Sequence, residues 1–469
     1  MTGPGEEDVA GDLIHPSAAS SRATIIAADV ITWNRFSADE PRAGSGGLAL
    51  RRAPFDPASA RHGVMTDVTL AVKGDVLARC PDDVLVPLAA GRLHPLWFWL
   101  AGQGLRWRDH PEALTSDVRQ PFALDAAAVQ ADEAVYRRIL HEEGGAFALQ
   151  ALPADAPFPY VLVPAQRART ISVVVCFRDG AALTLRCIQS LARQALTGEL
   201  QLILVDNQSA PAEAQRVLHG ARALLGEDRV TWLAYDRPFN HSAQNNLGAR
   251  SASGEVLVLC NNDVELQEPD LLEQLAAWAL QPKVATVGCR IEDPERRTGS
   301  HGHLVQPPSA NPFQPALREN PDPILGRRVH AVAGSTLAIA AMARERFLAG
   351  GGLDEVRFPI GYNDMDFMLR CSAAGLTHLY LGHVSARHVR GSSRTGDDES
   401  LQALWINQTH RPDAMACVRQ FAHGRVENVR GGAAAPAVVA GKPAAAARPA
   451  AGLHRLLLAG ARLRRRLWG

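Results

Sequence analysis

An α/β protein with a mixed, mostly parallel sheet is predicted for the middle of this chain, preceded by a smaller α/β domain. Three observations predict it. From about Thr170, short apolar runs alternate with longer amphipathic ones, as βα units do on a parallel sheet. The run Val256-Leu257-Val258-Leu259-Cys260 has no polar member and reads as a strand covered on both faces. It turns polar abruptly at Asn261-Asn262-Asp263, and in an open parallel sheet the ligand crevice lies beyond such strand ends.

The elements follow in order. Residues 1–168 scatter Pro, Ala and Asp through apolar pieces such as Ala23 to Thr32 and Leu96 to Leu100, and a small mixed domain is expected there. The domain at 169–425 then opens with a strand at Ile171 to Phe177, a helix at Thr184 to Leu196 and a strand at Gln201 to Val205. A helix at Ala212 to Leu225 and a strand at Val230 to Tyr235 follow, and the polar stretch from Phe239 starts the helix that leads into the Val256 strand. Pro269-Asp270 starts a helix to about Leu280, and Val284 to Cys289 is a further strand. Ile291 to Leu325 is rich in Pro, Gly, His and Asn, and reads as a long loop able to cover a site. A strand is expected near His378 to Leu381. Residues 426–452 hold an Ala/Pro/Gly tract that cannot pack a core and should form a flexible linker. Beyond it, 453–469 combines leucines, Trp468 and arginines, as a basic amphipathic helix on an anionic membrane surface does; a solvated basic tail is the alternative.

Composition excludes several classes. Lys+Arg and Asp+Glu both number 49, so the formal charge of +0 argues against nucleic-acid binding driven by counterion release. Seven cysteines form no CxxC pair, as expected of reduced thiols in a cytoplasmic protein. The acidic opening Met1 to Asp8 has no apolar core segment, so no secretory signal is expected, and no apolar run approaches the ~20 residues of a membrane span.

Four positions carry candidate chemistry. Asp263, held beyond a rigid strand, could bind a divalent cation through oxygen; a turn role is the alternative. Asp206 follows Leu202 to Val205 directly and could accept from a ribose or base, or close an Asx turn or cap the next helix. In Asn363-Asp-Met-Asp-Phe-Met-Leu-Arg370, Met365, Met368 and Leu369 share an inward face, and Asp366 and Arg370 can pair on the surface. Asp364 stands outside both sets, as a helix cap or as a base accepting a proton from an attacking hydroxyl. His388 lies past a strand before a basic Gly/Ser-rich loop, where a neutral imidazole could complete a cation site or be merely structural.

Six motifs stand in order: Ile171-Ser-Val-Val-Val-Cys-Phe-Arg-Asp-Gly180, Leu204-Val-Asp-Asn-Gln-Ser209, Pro238-Phe-Asn-His-Ser-Ala-Gln-Asn-Asn-Leu-Gly248, Asn261-Asn-Asp263, Gly351-Gly-Leu-Asp-Glu355 and Asn363 to Arg370. Over about Thr170 to Asp398 the set resembles the inverting family 2 glycosyltransferases of GT-A (Rossmann-like) fold, in the bacterial branch that builds O-antigen and other surface polysaccharides. The resemblance implies an inverting transfer from a UDP-, dTDP- or GDP-sugar to a polysaccharide or polyprenyl-linked acceptor, dependent on Mg²⁺ or Mn²⁺. It implies Asp263 as metal ligand with His388 facing the metal diphosphate, and Asp206 on the nucleoside. Phe177, Asp179, Asn246 (in the Asn-x-Gly element) and Asn262 join the nucleotide-sugar side. Gly352 and Asn363 fall to the acceptor and Asp364 to the catalytic base. The chain departs from the pattern at Cys176-Phe177, where Pro-Thr is usual, at Asn261, where Asp is frequent, and at Asn363, where many members have Glu.

A weaker resemblance links Ala27 to Val30, Arg52 to Asp56 and Leu96 to Leu100 to the later segments of a second glycosyltransferase half. Trp33-Asn34-Arg35 replaces its metal carboxylates, which implies an inert scaffold, interface or acceptor platform. The expected protein is a cytoplasmic glycosyltransferase with peripheral contact to the inner membrane face through 453–469. The rivals are a non-catalytic glycan-binding or scaffold protein and a sugar nucleotidyltransferase.

Overall fold

A computed structural model describes residues 30–37, 61–62, 68–89, 92–109, 114–116, 126–153, 156, 158–292, 327–332, 334–361 and 363–388. The predicted linker, the basic helix and nearly all of the 291–325 loop lie outside these residues.

The leading part is mixed α/β. Strand β1 (Val30–Ser37) contains Trp33-Asn34-Arg35 and pairs antiparallel with β2 (Val68–Val72) and parallel with β3 (Trp107–Asp109) and β4 (Leu114–Ser116). Short helices α1 (Gly74–Leu77) and α2 (Asp82–Ala89) precede α3 (His94–Gly102), in which every residue from His94 to Leu100 is buried. Helices α4 (Ala126–Ala131) and α5 (Glu133–Glu142) lead to the hairpin of β5 (Phe147–Ala151) and β6 (Tyr160–Pro164).

The second part begins β7 (Thr170–Phe177), α6 (Ala181–Ala192), β8 (Glu199–Asp206), α7 (Pro211–Leu225), β9 (Val230–Ala234), α8 (His241–Ser251), β10 (Val256–Asn261). Strands β9, β8, β7 and β10 lie side by side in that order, all parallel. After β11 (Val264–Leu266) and α9 (Leu271–Ala279) come β12 (Val284–Glu292), β13 (Val329–Val332), β14 (Ile339–Ala343), α10 (Arg344–Ala349), α11 (Asn363–Ala373) and β15 (Thr377–His388). Strand β14 runs antiparallel to β10 and carries the sheet on to β12, β15 and β11, with β13 also on β15. The sheet is thus parallel on one side of β10 and mixed on the other.

Alternation along the central strands builds two apolar layers. Val173, Val175, Leu202, Leu204, Val256 and Val258 face one core, while Val174, Ile203, Val205, Leu257 and Leu259 face the other. A one-residue slip would exchange the two sets, so both faces hold the register. The first core runs on without a break into Leu96, Phe98, Tyr136 and Val161 of the leading part. The link is α9: Trp278 lies 5.4 Å from the Phe147 ring and 6.2 Å from His62.

The structure moves several sequence-based bounds. Helix α6 begins at Ala181 rather than Thr184, because Gly180 takes a left-handed φ of 59° as its cap residue. Strand β15 extends over twelve residues, since it pairs with β12, β13 and β11 in turn, so His388 ends the strand rather than following it. Asp366 and Arg370 do pair, at 2.9 Å, but the Asp366 side chain is only 2% exposed. The helix turns that carboxylate into the protein beside Phe367 and Met368, both buried, so the expected surface pair is a largely interior one.

Candidate active site

The strand order β9-β8-β7-β10 makes β7 and β10 the place where successive connections depart to opposite sides, and ligands of open α/β sheets bind outside the carboxyl ends there. A cleft of ≈ 280 Å³ lies at that point. The end of β7 supplies Cys176, Phe177 and Arg178, the end of β10 supplies Asn261 and Asn262, and the residue after β8 supplies Asn207. Phe239 just before α8, His241 and Gln244 of α8, Thr336 to Ala338, Ile360, Gly361, and Asn363 and Asp364 at the start of α11 complete the wall. Of the sequence-predicted residues, Phe177, Asn262, Asn363 and Asp364 therefore meet in one cavity.

Asp179 and Asp206 stand off the lining. Asp206 Oδ1 accepts the Ser209 N–H at 3.1 Å, the Asx-type turn weighed from the sequence. Asp179, at φ 51°, accepts from Ala210 N and takes Ser209 Oγ on its own N–H, both at 2.7 Å. The Asp179 carboxylate ties the β7 and β8 loops together, while that of Asp206 closes the β8 loop on itself. Asn207 is the β8 residue that reaches the cleft; its amide donates to the Tyr235 and Arg237 carbonyls and accepts from Gln244. Phe177 is braced edge-on by Trp232 at 5.4 Å. Burial pushes the Cys176 thiol well above its ordinary range, so it lines the cavity as a neutral group.

Asp263 follows Asn262, whose amide is held by Thr184 Oγ1 at 3.0 Å. Strand β11 pairs with β15 so that Asp263, just before it, meets His388: Oδ1 and Nε2 are 3.0 Å apart, with both side chains nearly buried. Neither residue is among those that line the cleft. The donor set fits a hard divalent cation. The pair would offer it one carboxylate oxygen and one imidazole nitrogen, and such ions are commonly held by one or two carboxylates plus phosphate oxygens. No group of three His, Cys, Asp or Glu side chains suited to a metal exists among the described residues, so the remaining positions would fall to substrate and water.

Asp364 is half-buried on the cleft rim, and its N–H is capped by Asn363 Oδ1 at 2.8 Å. Asn363 is itself buried and donates to Ser242 Oγ at 2.9 Å. Asn246 points away from the cavity: its amide donates to the Leu353 carbonyl and Glu355 and accepts the Leu353 N–H, clamping the Gly351 to Glu355 loop onto α8. Gly352 belongs to the same clamp. With φ at +66°, a Cβ there would stand 2.6 Å from Asn246 Oδ1.

Sequence reasoning did not single out His241, Asn207, Gln244 or Arg178. The signal lay in α8, where Ser242, Gln244, Asn245 and Asn246 are all at most 7% exposed. A helix that buries so many polar side chains must pair them with one another or with a ligand.

The fold and cleft define an α/β protein with an open cavity at the sheet switch point and an acidic side chain on its rim. Residues 172–333 match the family model of glycosyl transferase family 2. The chain is 31% identical to the O-antigen biosynthesis protein RfbC of Myxococcus xanthus over 266 residues, 55% of this chain and 20% of that protein. It is 29% identical to the protein y4gI of Sinorhizobium fredii over 310 residues, 62% of this chain and 32% of that protein. It thus spans a third or less of these relatives' lengths. Among solved structures, GalNAc-T7 with UDP, GalNAc and Mn²⁺ superposes with a TM-score of 0.41 at 13% identity, covering 53% of this chain and 49% of that one. The Pyrobaculum calidifontis mannosyltransferase PcManGT with GDP-Man and Mn²⁺ gives 0.37 at 15%, covering 72% and 89%.

Proposed function

We propose that the chain transfers a sugar from a nucleotide-sugar donor to a glycan acceptor with inversion at the anomeric carbon. The carrying observation is that Asp364 is the one carboxylate among the described residues lining the switch-point cleft. A single displacement needs one base, whereas a retaining double displacement needs a second, nucleophilic carboxylate close by.

In this reading the nucleotide occupies the β7 and β8 side of the cleft, with its base against Phe177 and near Asn207. Asp364 takes the proton from the acceptor hydroxyl as that oxygen attacks the anomeric carbon and the nucleoside diphosphate leaves. Asp263 and His388 would hold Mg²⁺ or Mn²⁺, which when bound neutralises charge on the leaving diphosphate. The name of the Myxococcus relative supports a surface polysaccharide, free or lipid-linked, as acceptor. The leading domain serves as a non-catalytic platform, since Trp33-Asn34-Arg35 offers no carboxylate in β1, and 453–469 makes peripheral membrane contact. Among the described residues no helix is long and apolar enough to cross a membrane.

The test is binding and hydrolysis of UDP-, dTDP- and GDP-sugars by the full chain with and without Mn²⁺, beside Asp263→Ala. Metal-dependent use of one donor that disappears in the variant supports the reading. Absence of binding to every donor would sink it in favour of a non-catalytic glycan-binding protein.

A further inference from the structure

His241 is the first residue of α8, and its ring reaches both sides of the cleft. Nδ1 lies 3.1 Å from Asn363 Nδ2, beside Asp364 on α11, and Nε2 lies 3.4 Å from Asn261 Oδ1 at the end of β10. Asn245 Nδ2, already donating to the His241 carbonyl at 2.8 Å, approaches Nε2 at 3.2 Å.

The hydrogen-bond network selects one state of the ring. Asn363 Oδ1 takes the Asp364 N–H and Asn363 Nδ2 gives a hydrogen to Ser242 Oγ, so the amide cannot be turned over and its second hydrogen faces His241 Nδ1. A neutral imidazole offers one lone pair and one N–H. With the lone pair on Nδ1 the ring accepts from Asn363 and donates from Nε2 toward Asn261. With the lone pair on Nε2 it accepts from Asn245 alone and sets two donors against each other at Nδ1. The first tautomer makes the Asn363 and Asn261 bonds and faces Nε2–H past Asn245 Nδ2, which keeps its bond to the His241 carbonyl; the second makes the Asn245 bond alone and opposes two donors at Nδ1.

We propose that His241 is a positioning residue, an Nε2-protonated imidazole that holds Asn363 and, through its cap, the backbone of Asp364 in line with the end of β10. The inference rests on the reading of Asp364 as the base. The chain of contacts runs from Asn261, next to Asn262 and Asp263, through the ring to Asn363 and the Asp364 N–H. It joins the donor side of the cleft to the acceptor side without the ring touching the reacting atoms. Ser242 and the Pro359 carbonyl brace the same corner, because the Ser242 N–H donates to Pro359 at 3.1 Å.

Two substitutions separate this role from direct binding. An asparagine at 241 places its Oδ1 near the position of Nδ1, and a glutamine places its amide nitrogen near Nε2. In a long-range ¹H–¹⁵N spectrum of the full chain at about pH 8, where imidazole is neutral, the signal lost in His241→Asn should show a protonated Nε2 and a bare Nδ1. A protonated Nδ1 overturns the proposal. The Asp364 amide resonance should shift in His241→Ala and return in His241→Asn; an unmoved resonance also overturns it. With the donor that the wild type turns over, His241→Ala and His241→Gln should lower kcat more than about tenfold with KM within about twofold. His241→Asn should recover kcat to within about threefold, and a raised KM at unchanged kcat, or better rescue by Gln, overturns the assignment. If the wild type uses no donor, the transferase reading fails, while the tautomer and the Asp364 amide still decide the role of His241.

Discussion

Asp364 stands at the rim of the cleft with its backbone N–H capped by its neighbour Asn363, and the base role is the one proposed for its carboxylate. Asp364→Asn should lower sugar transfer by ~10²-fold or more, the typical range for loss of a general base, while nucleotide binding measured by calorimetry stays near wild type. An unchanged turnover would remove Asp364 from the chemistry. Asn246 makes a different prediction, because its three hydrogen bonds are spent on the Gly351 to Glu355 loop. Asn246→Ala leaves the Leu353 N–H and C=O without their partner and should cost about 2–3 kcal/mol in urea denaturation. A cost below about 0.5 kcal/mol would show that the clamp is not a stabilising contact. Motif order placed Asn246 and Gly352 near the site, but nothing in the spacing says whether an asparagine faces a ligand or a loop. Side-chain direction depends on which element packs opposite it, and here that element is more than a hundred residues away.

At the scale of elements, β15 shows the same limit. Its apolar middle, His378 to Leu381, is visible in sequence, yet three partner strands draw it out to His388 and set the imidazole against Asp263. His388→Ala should weaken Mn²⁺-dependent nucleotide binding by about 10- to 100-fold, as loss of a metal-site partner commonly does, with metal-free binding unmoved. Equal losses with and without Mn²⁺ would place His388 outside a metal site. Strand β15 also carries His383, whose pKa is lowered to about 4 by burial, with Asp270 opposing the shift and Arg290 reinforcing it. Unfolded, the ring titrates near ~6.5. Between those values the unfolded chain binds the extra proton, so stability falls as pH drops from ~6.5 to about 4 and the loss is complete below. A shift of that size corresponds to roughly 3 kcal/mol. Chemical denaturation across that window should show the loss in the wild type and much less of it in His383→Gln; parallel curves would exclude His383 as the source.

For the whole molecule, the first apolar layer of the sheet continues into the leading part through α9 and Trp278. Parts that share one core should unfold together. Calorimetry of the full chain should therefore show the leading part and the sheet domain melting in a single transition, and two well-separated transitions would make them independent. Trp278→Ala, which opens that junction, should cost about 3–5 kcal/mol. The βα alternation, the two-sided burial of Val256 to Cys260 and the polar strand end were sufficient by themselves to set the α/β class and the edge of the sheet where the cleft opens. Local periodicity carries that information because burial on one or both faces is imposed residue by residue. What tertiary structure alone decided was which polar groups meet: Asp263 with His388, Asn246 with the Leu353 loop, His241 between Asn261 and Asn363, and the leading part with α9. Those pairings join distant segments, and a side chain's partner across a sheet or between helices is set by packing geometry that no short stretch of sequence encodes.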